Sequence, residues 1–289
     1  MVESLRNLYV KQIEKGNRML ASIKHYTSVT LEYLKLSILT VFEYPANMIG
    51  WLISNPLQFI VGFATIQFVV KEFGDVAGWN YGQLAFLYGL AIISHALSMI
   101  FFVQGWFMGY FVIEGDFDRY MLRPMSVLYQ FCFTQFNLIG ITDLIPGICV
   151  FLYGCVQVGF VFNLRNILAL LAILVGATFI RGGVYIIIGS SSFWTKSIVD
   201  FGGYTQEFFD KTTMYPLSMY PESVQFLLTF IIPIGWVSFY PAAELMGISK
   251  DVFMPGAAPL ISLGAGVVVF AVAAVVFYTG LKRYESAGS

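Results

Sequence analysis

The sequence predicts an all-α integral membrane protein with six transmembrane helices, and three observations carry that prediction. Hydrophobic residues make up 58% of the 289 positions and charged residues only 11%, where a soluble protein carries roughly 25% charged residues. Apolar runs long enough to cross a bilayer, about 20 residues each, recur along the chain. The basic residues between those runs fall mainly on alternate loops, as the retention of Lys and Arg in the cytoplasm requires. The 16 basic and 17 acidic residues nearly cancel, for a net charge of −1. Neither a basic nucleic-acid surface nor a highly charged disordered chain fits that balance.

The first 45 residues read as an N-terminal cytoplasmic or interfacial segment. Arg6, Lys11, Lys15, Arg18 and Lys24 precede any apolar core, so no cleavable signal peptide is expected and the first span must direct insertion. Residues 31–43 (LEYLKLSILTVFE) are apolar overall but place Glu32, Lys35, Thr40 and Glu43 on one side at helical spacing, and Pro45 ends the run. That is the pattern of an amphipathic helix lying in the cytoplasmic leaflet.

The membrane domain covers 46–283, with spans at about 47–70, 82–113, 127–161, 166–190 and 257–281, followed by a tail at 284–289. Asn55-Pro56 is expected to break or kink the first span. The second run holds no charge over 32 residues; at 1.5 Å per residue it is about 48 Å long, so it must tilt or continue into the interface. One more crossing is needed between 190 and 257. Hydropathy leaves two choices there: 195–213 carries five charges, whereas 223–240 is apolar but contains Pro233 and is followed by Pro241.

With the N-terminus inside, eleven basic residues are cytoplasmic (Arg6, Lys11, Lys15, Arg18, Lys24, Lys35, Arg119, Arg123, Lys196, Lys282, Arg283) against Lys71, Arg165 and Lys250 outside. Both termini are therefore expected in the cytoplasm.

Catalytic patterns are missing from the sequence. No Gly-Lys dipeptide exists, which excludes a phosphate-cradling loop of the GxxxxGK[ST] type. His25 and His95 are the two histidines, too few for HExxH or a multi-histidine metal site. Ser190, Ser191 and Ser192 lack a GxSxG elbow. Cys132, Cys149 and Cys155 fall in one apolar stretch with no zinc or haem spacing and read as small hydrophobes. One histidine, one aspartate and one arginine do sit inside spans. His95 lies mid-span in the second helix. Asp143 is about 15 residues into the third span and Arg181 about 15 into the fourth from the other side. Adjacent antiparallel helices would bring Asp143 and Arg181 to one depth, and pairing them avoids about 2.5–3.5 kcal/mol of insertion cost per unpaired charge.

The turn between the second and third spans, VIEGDFDRYMLRPMSVLYQ at 112–130, packs Glu114, Asp116, Asp118, Arg119 and Arg123 into ten residues of an otherwise charge-poor chain. Asp116 and Arg119 are three apart and can pair on a short helix that Arg123-Pro124 closes. Such a turn offers charges and a small apolar face, Met121 and Leu122, to something in the cytoplasm.

The residues Gly115, Asp116, Asp118, Arg119, Tyr120, Leu122, Arg123 and Pro124 give the chain its resemblance to the membrane subunits of bacterial type-2 ATP-binding-cassette (ABC) exporters. SSFW at 191–194, YPLSMYP at 215–221 and PAAELMG at 241–247 are similar to the same branch in the same order, and the likeness runs from about residue 30 to 283. The resemblance implies that Glu114, Gly115, Asp116, Asp118, Arg119, Tyr120, Arg123 and Pro124 belong to a coupling helix docked on a separate cytoplasmic ABC ATPase. It implies a second permease, identical or a homologous sister chain, and no cofactor or metal in this chain, with ATP and Mg bound by the partner. It also makes 222–247 an external re-entrant hairpin between the fifth and sixth spans and moves the fifth span to 195–213. On that span, helical spacing gathers Lys196, Asp200, Gly203, Tyr204, Glu207, Asp210 and Lys211 within about a third of the circumference. A polar stripe in a span must face protein or water, so Asp200, Tyr204, Glu207 and Asp210 are expected to line the transport pathway. Lys196–Asp200 and Glu207–Lys211 could neutralise each other, leaving Asp210 as a surplus charge that favours a cationic or zwitterionic substrate.

The leading functional reading is thus a permease subunit of an ABC exporter in the bacterial inner membrane, moving a lipophilic or amphiphilic compound outward and not itself an enzyme. The second is an ion-coupled secondary transporter with Asp143, His95 and Arg181 as an intramembrane relay. Against it, the two halves show no convincing inverted repeat. A membrane-embedded enzyme lacks a clustered acid, base or metal set.

Overall fold

A computed structural model of the chain describes residues 24–43, 45–196 and 201–285, and among these it is helical apart from one isolated bridge between Val76 and Trp79. Helix α1 covers 24–43. Ser37 reaches inward, its Oγ accepting the Phe136 N–H at 3.0 Å, while Glu32, Lys35, Thr40 and Glu43 are exposed and Leu31, Leu36, Leu39 and Phe42 are exposed too. Helix α2 (Pro45–Phe73) follows and continues through Pro56, so of the expected break or kink the break does not occur. A long apolar helix tolerates one missing N–H when a neighbouring polar group lies close, and Asn55 is bonded to the bundle here.

The buried axis of the molecule is α3 (Tyr81–Phe102), started by a reciprocal cap in which Asn80 Oδ1 accepts the Gln83 N–H and Gln83 Oε1 accepts the Asn80 N–H. The run then tightens into a 3-10 turn (Val103–Phe107) and resumes as α4 (Met108–Ile113). Helix α5 (Phe117–Met121) makes the turn. The apolar stretch 127–161 is not one helix: α6 (Val127–Phe133) and α7 (Gly140–Val158) are separated at 134–139. Asn137 explains the restart, because its Oδ1 accepts the Ile139 N–H while its own N–H goes to Ile100 O.

Helix α8 (Leu164–Ser190) is followed by the short α9 (Ser192–Thr195) and by α10 (Phe201–Thr213). Next come α11 (Glu222–Phe226), a π-helical stretch (Leu227–Ile231) and α12 (Phe239–Met246), with Pro233 at the break between them. The chain ends on α13 (Ala258–Leu281). Helices α8 and α13 approach closely enough that a Cβ added at Gly176 would lie 2.3 Å from Ser262 O, and one at Gly266 2.5 Å from Gly176 O. Small residues at such a crossing let backbones meet, which is how helices associate where lipid removes the hydrophobic drive.

Five helices among the described residues are long and apolar enough to cross a membrane: Met48–Phe73, Tyr81–Ile113, Gly140–Val158, Leu164–Thr195 and Ala258–Leu281. A sixth exists if Glu222–Ile231 and Ile234–Met246, bent by 74°, count as one span. The described part of α10, 13 residues, is about 20 Å long, shorter than the hydrocarbon core.

The two ends of the bundle are distinct. One carries α5, α6, α9 and the exit of α13, where Lys196 Nζ meets Glu285 Oε2 at 2.5 Å. At the other, Trp79 Nε1 donates to Asp251 Oδ2 at 2.7 Å, Lys250 Nζ to Ala77 O at 2.6 Å, and the Ala258 N–H to Glu244 Oε2 at 3.0 Å.

Candidate functional site

Deep in the bundle a chain of polar side chains crosses five helices. Arg181 on α8 is fully buried; its Nη1 donates to Asp210 Oδ1 at 3.1 Å and its Nη2 to Thr213 Oγ1 at 3.2 Å, and its guanidinium carbon lies 4.9 Å from the Phe209 ring centroid, all three on α10. His95 on α3 stands next, with Nδ1 3.6 Å from Asp210 Oδ1 and Nε2 3.6 Å from Asp143 Oδ2 on α7. Both separations exceed a hydrogen bond, so the imidazole acts there as a neighbouring charge only when protonated. Asn55 on α2 closes the chain, donating from Nδ2 to Asp143 Oδ1 at 2.5 Å and to Thr142 Oγ1 at 3.0 Å.

The direct Asp143–Arg181 pair expected from depth alone does not form. Helix α10 lies along the buried side of α8 and supplies Asp210, so Asp143 falls instead to His95 and Asn55. The neutralisation scheme within 195–213 changes with it. Lys196 pairs with Glu285, Asp210 is matched by Arg181, and Asp200 lies outside the described residues. Tyr204 and Glu207 are exposed, and Glu207 also borders the cavity between α2 and α10.

Two cavities open onto this network and share Gln58, Phe59 and Gln206 as common wall. One, of about 570 Å³, lies between α2 and α10 and is lined by Tyr88, Glu207, Asp210 and Lys211. The other, of about 840 Å³, lies between α1, α2 and the core, with Asn55, His95 and Asp143 at its base and Trp51, Trp106 and Phe107 among its walls. Sequence reasoning took Asn55 only as a neighbour of a helix-breaking proline and missed Thr142 and Thr213. The available signal was an amide and a hydroxyl, Asn55 and Thr142, inside apolar runs; Thr213 ends a charged segment and offered none.

The turn at the α5 end is built on a buried aromatic base. Gly115 takes φ +79°, a left-handed conformation that a side chain would strain. Phe117 is fully buried, packing at centroid distances of 5.1 Å from Phe193 and 5.8 Å from Phe277. Gln130 Nε2 holds the backbone by donating to Tyr120 O at 2.9 Å and Met125 O at 3.1 Å. Burial, reinforced by Asp118, pushes the neighbouring Tyr284 phenol up to about 12. Outward, Leu122 is 87% exposed, and Arg119, paired with Asp116, is largely exposed as well. Arg123 Nη1 donates to Tyr33 OH at 2.8 Å, tying the turn to α1. Glu114 and Pro124 flank the same surface.

Residues 57–288 match the family described as ABC-2 family transporter protein. The chain belongs to that family. No curated protein and no solved structure matches it. Membership makes this ABC-2 chain a membrane permease, a transport component rather than a catalytic one, and decides against the ion-coupled secondary transporter. The matched region takes in both cavities' α10 wall, the whole charged network except Asn55, and the α5 turn. Helix α1 precedes it.

Proposed function

We propose that this ABC-2 permease is the membrane subunit of an ATP-driven exporter that moves a lipophilic or amphiphilic compound outward across the bacterial inner membrane, with ATP hydrolysed by a separate cytoplasmic subunit. The observation that carries the reading is the α5 turn: a short helix seated on Phe117 and Tyr120, clamped by Gln130, and presenting Leu122 and Arg119 to solvent. A rigid base with an exposed, mixed charged and apolar tip is what a coupling element needs in order to pass force from a partner to the spans. The α5 end is then cytoplasmic, together with both termini. The 74° bend and the Glu244–Ala258 contact at the far end support an external re-entrant hairpin at 222–247, with α10 forming the described part of the fifth span. Helix α2 keeps most of its surface uncovered, which leaves room for a second permease.

The test is expression of the chain together with the genes that flank its own, followed by affinity purification and a transport assay. Arg119→Glu with Arg123→Glu removes charge that would pair with an acidic groove, and losing such a buried partner typically costs about 2–5 kcal/mol of binding. The double variant should insert normally yet recover at most about one-thirtieth of the ATPase. Gln130→Leu should lower recruitment as well by releasing the turn. Full recruitment and transport in both variants would refute the coupling assignment.

A further inference from the structure

The large cavity combines features that together select a ligand. Its volume of about 840 Å³ suits one drug-sized molecule. Trp51, Phe59, Trp106 and Phe107 line it with aromatic surface, and aromatic faces attract cations most strongly where water is excluded. At its base the charges do not cancel. Arg181 is matched by Asp210, whereas Asp143 receives a neutral amide donor from Asn55 and otherwise faces the imidazole of His95. Asp143, 4% exposed and on the cavity wall, has no Lys or Arg ion-pair partner among the described residues. A second buried group borders the same place: His95, 2% exposed, also lines the cavity, with Nε2 3.6 Å from Asp143 Oδ2 and its unpartnered Nδ1 on the far side of the ring, toward Asp210.

From this juxtaposition we propose that the cavity binds an organic cation carried on an apolar body, its ammonium or phosphonium charge held by Asp143 and its body by Trp51, Phe59 and Trp106. The proposal rests on the exporter reading and names its substrate class. It also relocates the charge preference from Asp210, which Arg181 neutralises, to Asp143. An anion of the same shape would meet the carboxylate and be rejected.

The experiment uses tetraphenylphosphonium and its near-isostere tetraphenylborate as probes, with the purified full-length chain in neutral maltoside micelles. Equilibrium binding should be saturable for the cation and absent for the anion. Asp143→Asn should weaken the cation's Kd by about tenfold or more, Trp106→Leu should weaken it as well, and Asp75→Asn, on the exposed loop at the opposite end, should leave it unchanged. Equal binding of both ions by the unaltered chain, or unchanged cation binding by a folded Asp143→Asn, would overturn the proposal. The two-ion comparison needs no substitution, so it decides even if that variant fails to fold. Added phosphatidylethanolamine separates two sources of the charge. Competition with tetraphenylphosphonium assigns the site to a lipid headgroup, and no competition assigns it to a free organic cation; both keep the cation site. Because the permease is measured alone, intact ATPase recruitment without cation binding removes this site and leaves the exporter assignment standing.

Discussion

Replacing Arg181 by Gln would separate the two pairings that the spans could have adopted. In the structure its guanidinium binds Asp210 and Thr213 and stacks over Phe209, with no exposed surface. Breaking a buried ion pair from one side costs about 3–5 kcal/mol, chiefly because the remaining charge is stranded. For Arg181→Gln we take the lower value, about 3 kcal/mol, since Asp210 retains 24% exposure at its side chain and borders a cavity. Asp210→Asn should cost more, toward 5 kcal/mol, because Arg181 is then alone in a fully buried site. The double variant strands neither charge, so it should be less destabilised than the sum of the singles, with a coupling energy of about 2–3 kcal/mol. At roughly 2 °C per kcal/mol for a chain of this size, Arg181→Gln should lower Tm by about 6 °C. The assay is thermal unfolding in detergent, run as a double-mutant cycle and repeated with Asp143→Asn in place of Asp210→Asn. Asp143 is connected to Arg181 only through His95 and Asp210, so its coupling should stay under about 1 kcal/mol. Additive effects at Arg181 and Asp210, or a larger coupling with Asp143, would refute the network as drawn.

The crossing of α8 and α13 predicts that Gly176→Leu costs about 1–3 kcal/mol or more, because the new side chain would overlap the Ser262 carbonyl, while Gly264→Leu, with nothing within 4 Å, is close to neutral. Membrane abundance and Tm of the two variants check this, and equal values would argue against the close crossing. In a background lacking Cys132, Cys149 and Cys155, Glu207→Cys on the cavity side of α10 should react with a membrane-impermeant thiol reagent to an extent that depends on nucleotide when the ATPase is present. Reactivity indifferent to nucleotide would put α10 on the surface rather than on the pathway.

The membrane class and the long helices were legible because apolar runs of about 20 residues have few alternative fates. Two kinds of feature were not. Breaks inside apolar runs, such as the one at 134–139, turn on local hydrogen bonds like those of Asn137 to the Ile139 N–H and Ile100 O, and Asn137 in an apolar context reads as just another tolerated polar residue. Partner choice was the other. Depth along a span is one-dimensional, and Asp143 and Arg181 share a depth without sharing a face. Which carboxylate Arg181 meets depends on how α10 packs, and α10 is a charged segment that hydropathy alone would leave out of the membrane. The family resemblance, carried by the turn at 115–124 and three later motifs, was what placed 195–213 among the spans.

That placement has a physical consequence for α10 itself. With Glu207, Asp210 and Lys211 in 13 residues, the helix is not held against the bundle by apolar burial alone. What retains it is local: Phe209 is fully buried against Tyr185 at 6.2 Å between centroids, and Arg181 grips Asp210 and Thr213 within one turn of it. All of these attachments lie in the last turns of α10. Its start is approached from α9, whose Phe193 packs on Phe117 of the α5 turn, and from Lys196, bound to Glu285 beyond α13. Nearer its start Thr205 is buried as well, so α10 is held along its length. Its polar residues serve as contacts themselves: Asp210 and Thr213 accept hydrogen bonds from Arg181, whose guanidinium lies over Phe209. A segment whose polar groups are spent on specific partners needs no long apolar run to stay packed, which is why hydropathy alone leaves 195–213 out of the bundle.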